Sequence, residues 1–206
     1  MDTKLKWIIT LMGFCVIIIS NSCGKLCLEG PSAAFNFQIG VRAYPDKDSI
    51  RVGDTVWLEV NAPTHLIDRN TNKVIDYSGA ENLGSAIGFI KLLGKNNAKD
   101  AANNFNYYLI KGLSLNNPST EKIREYRFSE SNNNYTFKLG IIPKEKGIFK
   151  IFVSNAANVY RKGDKCTKAN FEINFGNTNQ HLYFNNILAP DVDLQPGAGV
   201  YLFRVY

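Results

Sequence analysis

Apolar and polar residues alternate at period two along most of the chain. Phe35, Phe37, Ile39 and Val41 recur at every second position, the pattern of a strand with one buried face. A Pro-Asp turn at residues 45 and 46 and a Gly-Asp turn at 53 and 54 then punctuate the chain. After them Val56, Leu58 and Val60 face one way while Trp57 and Glu59 face the other. Ala86 to Leu93 is apolar enough for a buried strand, and Tyr107 to Ile110 and Ile123 to Phe128 supply two more. Tyr135, Phe137, Leu139 and Ile141 alternate cleanly. Past the turn at Pro143 to Gly147, Phe149, Ile151 and Val153 oppose Ile148, Lys150 and Phe152. Phe171, Ile173 and Phe175 alternate again, and the chain closes on a β-rich run from Gly199 to Tyr206. This amounts to roughly eight to ten short strands with no long amphipathic helix, the signature of an all-β sandwich. Residues 177–188 break the alternation and form the best helical candidate.

The first residues follow another rule. Lys4 and Lys6 precede an uncharged apolar stretch from Trp7 to Ile19, the layout of an export signal. A stretch of about 13 residues falls short of the roughly 20 that a membrane-spanning helix needs. Ser20, Asn21 and Ser22 then lead to Cys23, and Ser20-Asn21-Ser22-Cys23 resembles the relaxed lipobox of bacterial lipoproteins, above all the form common in Bacteroidota. The resemblance implies a signal peptide over 1–22, lipid on Cys23, a tether over 23–33 and a single domain over 34–206. Ser20 stands where many lipoboxes carry Leu, which keeps ordinary cleavage at a nearby small residue open. With Gly24 and no Asp after Cys23, the resemblance also implies the outer membrane, and since surface lipoproteins of that group tend to carry an acidic run there, the single Glu29 favours a periplasm-facing location over the cell surface.

A lipidated Cys23, with Cys15 discarded in the signal, leaves Cys27 and Cys166 as the thiols of the exported domain. Two cysteines in an oxidising compartment are expected to pair as a disulfide. Zinc is the weaker reading, because structural sites take four ligands and His65 and His181 have no finger-like spacing.

Cleavage before Cys23 leaves 22 basic and 17 acidic residues, a net charge of +5 scattered along the chain. Its longest cluster, Arg161 to Lys165, is interrupted by Gly163 and Asp164, so nucleic acid is not an expected partner. The segment Tyr44 to Val60, in which the run Asp48-Ser49-Ile50-Arg51-Val52-Gly53-Asp54-Thr55 precedes a strand with an aromatic residue, resembles the second and third strands of immunoglobulin-like and fibronectin-like domains of bacterial surface proteins. Ile142 to Val153 resembles the turn entering a late strand of the same folds. That resemblance implies an immunoglobulin-like β-sandwich and says almost nothing of function, because the fold serves many roles.

Chemistry-bearing patterns are sparse. Neither histidine lies beside a serine in a strained turn, no H-E-x-x-H occurs, and each histidine is expected in a structural or surface role. The carboxylate pairs Asp46/Asp48 and Asp191/Asp193 fall in proline-containing turns, where Asp bonds nearby backbone amides; a loop calcium at the second pair is a minor alternative. No enzyme, cofactor or metal site is expected. Trp57, Tyr77, Tyr107 and Tyr160 are the candidate ligand-binding aromatics. The leading expectation is a non-enzymatic envelope lipoprotein that binds a protein partner. The alternative is a carbohydrate-binding accessory of a glycan-uptake system, which requires an exposed Trp57 or a tyrosine cluster.

Overall fold

The strands that alternation predicts bury their apolar faces in one shared core. The computed structural model describes residues 32–115, 122–176 and 178–206. Its strands are β1 (Ser32–Gly40), β2 (Arg42–Tyr44), β3 (Ser49–Ile50), β4 (Val56–Pro63), β5 (His65–Asp68), β6 (Lys73–Asp76), β7 (Ala80–Glu81), β8 (Gly84–Gly94) and β9 (Asn97–Asp100). A 3-10 turn at Ala102–Asn104 leads into β10 (Phe105–Lys111), β11 (Leu113–Ser114), β12 (Ile123–Arg127), β13 (Ser129–Ser131) and β14 (Asn134–Pro143). The chain finishes with β15 (Gly147–Val153), β16 (Ala156–Arg161), β17 (Asp164–Asn174), the helix α1 (Tyr183–Leu188) and β18 (Val200–Val205).

These strands form three sheets and a hairpin. One sheet runs β10-β14-β4-β2, with β13 also on β14; a second runs β11-β12-β8-β15-β18-β3, with β9 also on β8. The inner faces of these two meet: Phe105 of the first packs edge-on against Phe149 of the second at 4.9 Å, and Phe137 against Tyr126 at 5.4 Å. Such offset and edge-to-face ring pairs are the arrangement that aromatic quadrupoles favour. Val56, Leu58 and Val60 are buried while Trp57 and Glu59 are not, as the alternation requires. The fold is an all-β sandwich, as expected.

A third sheet, β1-β17-β16-β7, extends it. Here β1 lies parallel to β17, with Phe37 beside Phe171 and Ile39 beside Ile173, so two segments far apart in sequence form one wall of the core. The β5-β6 hairpin closes beside this sheet. It is held by the buried Asp68, whose carboxylate accepts from the Asn36 N–H at 3.0 Å and from the Thr71 hydroxyl at 2.7 Å. Helix α1 realises the helical expectation over its second half. With the segment after it, α1 covers the outer face of β8 and β18, where Phe184 joins Leu92 and Leu202 in a second apolar cluster.

Two expectations need correction. The count of eight to ten strands is too low, because β2, β3, β7, β11 and β13 are two or three residues long and β5, β6 and β9 only four, too short for alternation to show. Ser32 already pairs with Thr167, so β1 takes in the end of the tether expected over 23–33. The rest of that tether, the signal segment 1–22, Cys23 and Cys27 lie outside the described residues. His181 takes the structural one of the two roles expected: it is buried, with Nδ1 2.9 Å from the Leu202 carbonyl oxygen. His65 is exposed.

Candidate binding face

The outer face of the β10-β14-β4-β2 sheet carries an aromatic row set by strand register. Tyr44 of β2 stands opposite Trp57 of β4, Trp57 opposite Gly140 of β14, and Gly140 opposite Tyr108 of β10. The three aromatic residues and the glycine therefore lie in one line across four strands. Side chains at directly opposed positions on one sheet face contact each other, which makes such a line a physical unit.

Glycine is what lets the row close. A Cβ at Gly140 would meet the Trp57 ring at 3.0 Å (Cζ3) and 3.2 Å (Cη2), so the six-membered ring of the indole rests on the bare backbone there. The indole thus spans the gap toward Tyr108, which meets it edge-on at 6.4 Å, while Tyr44 lies near-parallel on the other side at 6.5 Å. Trp57 and Tyr44 are half-buried, Tyr108 is 61% exposed and Ile110, two residues on at a register shift of β10, is 49% exposed.

Cations line the next row. Lys138 Nζ stands 5.2 Å from the Trp57 ring centre and 5.5 Å from that of Tyr44, and the Arg42 guanidinium 5.4 Å from that of Tyr44. A cation over an aromatic face is attracted by the ring quadrupole, and more so where water is partly excluded. A hydrogen bond with the Tyr44 hydroxyl raises the Lys138 pKa above its ordinary value, so this charge is present at all physiological pH. Glu59 stands 3.8 Å away and offsets part of it.

The four aromatics singled out in the sequence do not assemble. Tyr77 is fully buried between Phe37 and Phe171; its hydroxyl donates to the Val159 carbonyl at 2.7 Å, and burial pushes its pKa up to about 12. It is a core residue, because the chain after the β5-β6 hairpin turns inward at that point. Tyr107 faces the core beside Phe89, donates to the Ala102 carbonyl at 2.6 Å, and has its pKa raised by burial. Tyr160 is half-buried in the third sheet, opposite Glu81 and Lys168. Only Trp57 lies on the row, and its partners Tyr44 and Tyr108 follow from register. Gly140 was the available signal: a glycine inside a cleanly alternating strand marks a close approach by something else.

The acidic candidates have other partners. Asp48 accepts from the Tyr183 hydroxyl, the first cause of its lowered pKa, and Asp46 lies 3.8 Å from His181 Nε2. Asp191 accepts from Asn96, and Asp193 from Gln195 at 2.6 Å. Among the described residues, no three His, Cys, Asp or Glu side chains are grouped as metal ligands would be.

Among the described residues, Asp164, at the start of β17, is the most perturbed acid. The Arg161 guanidinium at 3.0 Å and the N–H groups of Cys166 and Thr167 hold its pKa at about 2. A carboxylate whose pKa is lowered on folding contributes stability that is fully present above its unfolded value and is lost as acid protonates the native state. The stability gap between wild type and Asp164→Asn is therefore expected to be constant at neutral pH and to shrink between pH 3.8 and about 2. Urea unfolding across that range checks it; a gap unchanged in acid would contradict it.

No family model matches the chain, and no curated protein matches it. Among solved structures, the chain is similar to a non-cellulosomal cohesin from the hyperthermophilic archaeon Archaeoglobus fulgidus, at 10% identity and a TM-score of 0.25, over 75% of this chain and 98% of that one.

Proposed function

We propose that this protein is a non-catalytic interaction module of a bacterial envelope, held at the outer membrane by lipid on Cys23 and gripping a protein partner through the Tyr44-Trp57-Tyr108 face. The observation that carries this reading is the row itself. It places a tryptophan and two tyrosines in one line on a solvent-facing sheet face, with Arg42 and Lys138 in the adjoining row and exposed Ile110 nearby in β10. Trp, Tyr and Arg are the residues in which interface energy concentrates. Lys138 and Arg42 beside the rings suit a partner surface with carboxylates facing an apolar patch. The anchor rests on the apolar stretch followed by Ser20-Asn21-Ser22-Cys23.

Crosslinked affinity capture from membranes of the native host tests the reading. The full-length protein is expected to retain one stoichiometric envelope protein, and Cys23→Ala to lose membrane attachment. Trp57→Ala combined with Tyr108→Ala is expected to reduce capture by about thirtyfold or more, since one hot-spot residue is worth roughly 2 kcal/mol. Capture unchanged by the double substitution would end the assignment of the face, and an unlipidated mature N-terminus would end the anchor.

A further inference from the structure

Away from the aromatic row, the outer face of the β1-β17 pair forms the floor of an open cleft of about 590 Å³. The parallel register sets Asn36 opposite Asn170, and the tip of the β5-β6 hairpin brings Arg69 and Asn70 over them. Asn155 and Glu172 complete the polar lining, and the small side chains of Ala156 and Ala157 keep one wall low.

The amides are tied in a single direction. The Asn158 N–H donates to Asn170 Oδ1 at 3.1 Å, Asn170 Nδ2 to Asn36 Oδ1 at 3.2 Å, and Asn36 Nδ2 to Asn70 Oδ1 at 3.0 Å. Each link fixes which end of the amide is oxygen. Asn155 is fixed independently, because its Oδ1 accepts from the Ile173 N–H at 2.9 Å. A carboxamide has two N–H groups and two oxygen lone pairs. Asn36 and Asn170 therefore each retain one donor and one acceptor beyond the relay, already oriented. Arg69 and Glu172 form an ion pair with each other, so the two charges of the lining cancel.

We infer that this cleft is a binding site for a neutral saccharide. Adjacent hydroxyls of a sugar each donate one hydrogen bond and accept others, which an amide presenting a donor beside an acceptor answers pairwise. The Arg69-Glu172 pair offers the same combination at the end of the relay. The cancelled charge gives an anion or a cation no advantage. A peptide strand cannot add to β1 here, because the hairpin consumes the backbone of Asn36: its N–H donates to Asp68 at 3.0 Å and its carbonyl accepts from the Arg69 N–H at 2.8 Å. The site is separate from the aromatic face, and the two proposals fail separately.

The test is a ¹⁵N NMR titration of the full-length chain with cellohexaose, mannohexaose and maltohexaose, and with hexaalanine as the peptide comparison. At least one oligosaccharide is expected to shift the side-chain amide resonances of Asn36 and Asn170 saturably. Asn170→Ala is expected to weaken that binding by about tenfold, the worth of one or two lost hydrogen bonds. Ala157→Tyr, at an exposed position on the cleft wall, removes no hydrogen bond and is expected to weaken binding equally by filling the space. Trp57→Ala is expected to leave it unchanged. No shift with any oligosaccharide at millimolar concentration, shifts indifferent to both cleft variants, or an equal response to hexaalanine would overturn the proposal.

Discussion

Phe149→Ala is expected to lower the unfolding free energy by about 3 to 5 kcal/mol, the usual cost of removing a buried phenylalanine from a packed core. Phe149 has no exposed surface and sits where the two large sheets meet, 4.9 Å from Phe105 and 6.0 Å from Phe203. Neither neighbour can fill the space without breaking its own contacts, because Phe105 also packs on Phe89 and Phe203 on Tyr201. The loss is a large fraction of the roughly 5 to 15 kcal/mol that holds a domain folded. Phe152→Ala, from the opposite and half-buried face of β15, is expected to cost clearly less. Urea unfolding of both variants measures the difference, and equal losses would contradict the assignment of faces.

The second large effect concerns Cys27 and Cys166. Strand β17 begins at Asp164, and its Thr167 pairs with Ser32 at the start of β1. Cys166 therefore lies beside the point where the chain arrives from Cys27, five residues before Ser32. Five extended residues reach about 17 Å, more than the roughly 6 Å between the Cα atoms of a disulfide requires. A bond between them would close most of the domain into one loop and stabilise it by about 4 to 5 kcal/mol on the chain-entropy account. Cys166→Ser is expected to lose that amount in non-reducing urea unfolding, and wild type to lose it when reductant is added. Peptide mapping without reductant should recover the two cysteines linked; recovery of both as free thiols would refute the bond.

The parts of this fold legible in the sequence are those governed by period two. Phe37 and Ile39, Val56 to Val60, Tyr135 to Ile141 and Phe149 to Val153 announce their buried faces, because a strand with one solvated side has to alternate. β18 gives no such signal: Tyr201, Leu202 and Phe203 are all fully buried, since α1 covers the face that would otherwise meet water. The third sheet was not legible either. Pairing of β1 with β17 depends on contacts between distant segments, to which local pattern is blind.

The candidate site divides the same way. That Trp57 faces away from the core follows from its neighbours Val56 and Leu58. That Tyr44 and Tyr108 share its row follows from the register of three strand pairs. Tyr77 was misread because Asp76-Tyr77-Ser78-Gly79 has the composition of a surface turn, and the turn is indeed there. The Asp76 carboxylate accepts from the Ser78 N–H at 2.9 Å, yet the tyrosine ring points inward. Asn132 and Asn133, with positive φ angles of 49° and 58°, make the two-residue hairpin between β13 and β14, a use of asparagine that composition suggests. Asn36 and Asn170 look no different in sequence. They become a relay only through the parallel register.

Site-specific photo-crosslinking in cells of the native host bears most directly on the central proposal, that the aromatic row is where this protein is held by its partner. A photoreactive residue would replace Tyr108, on the row, or Ile67, which is 56% exposed on the β5-β6 hairpin. Irradiation is expected to join one envelope protein to position 108 and not to position 67, and Trp57→Ala is expected to abolish the adduct. No adduct at 108, or the same adducts at both positions, would contradict it.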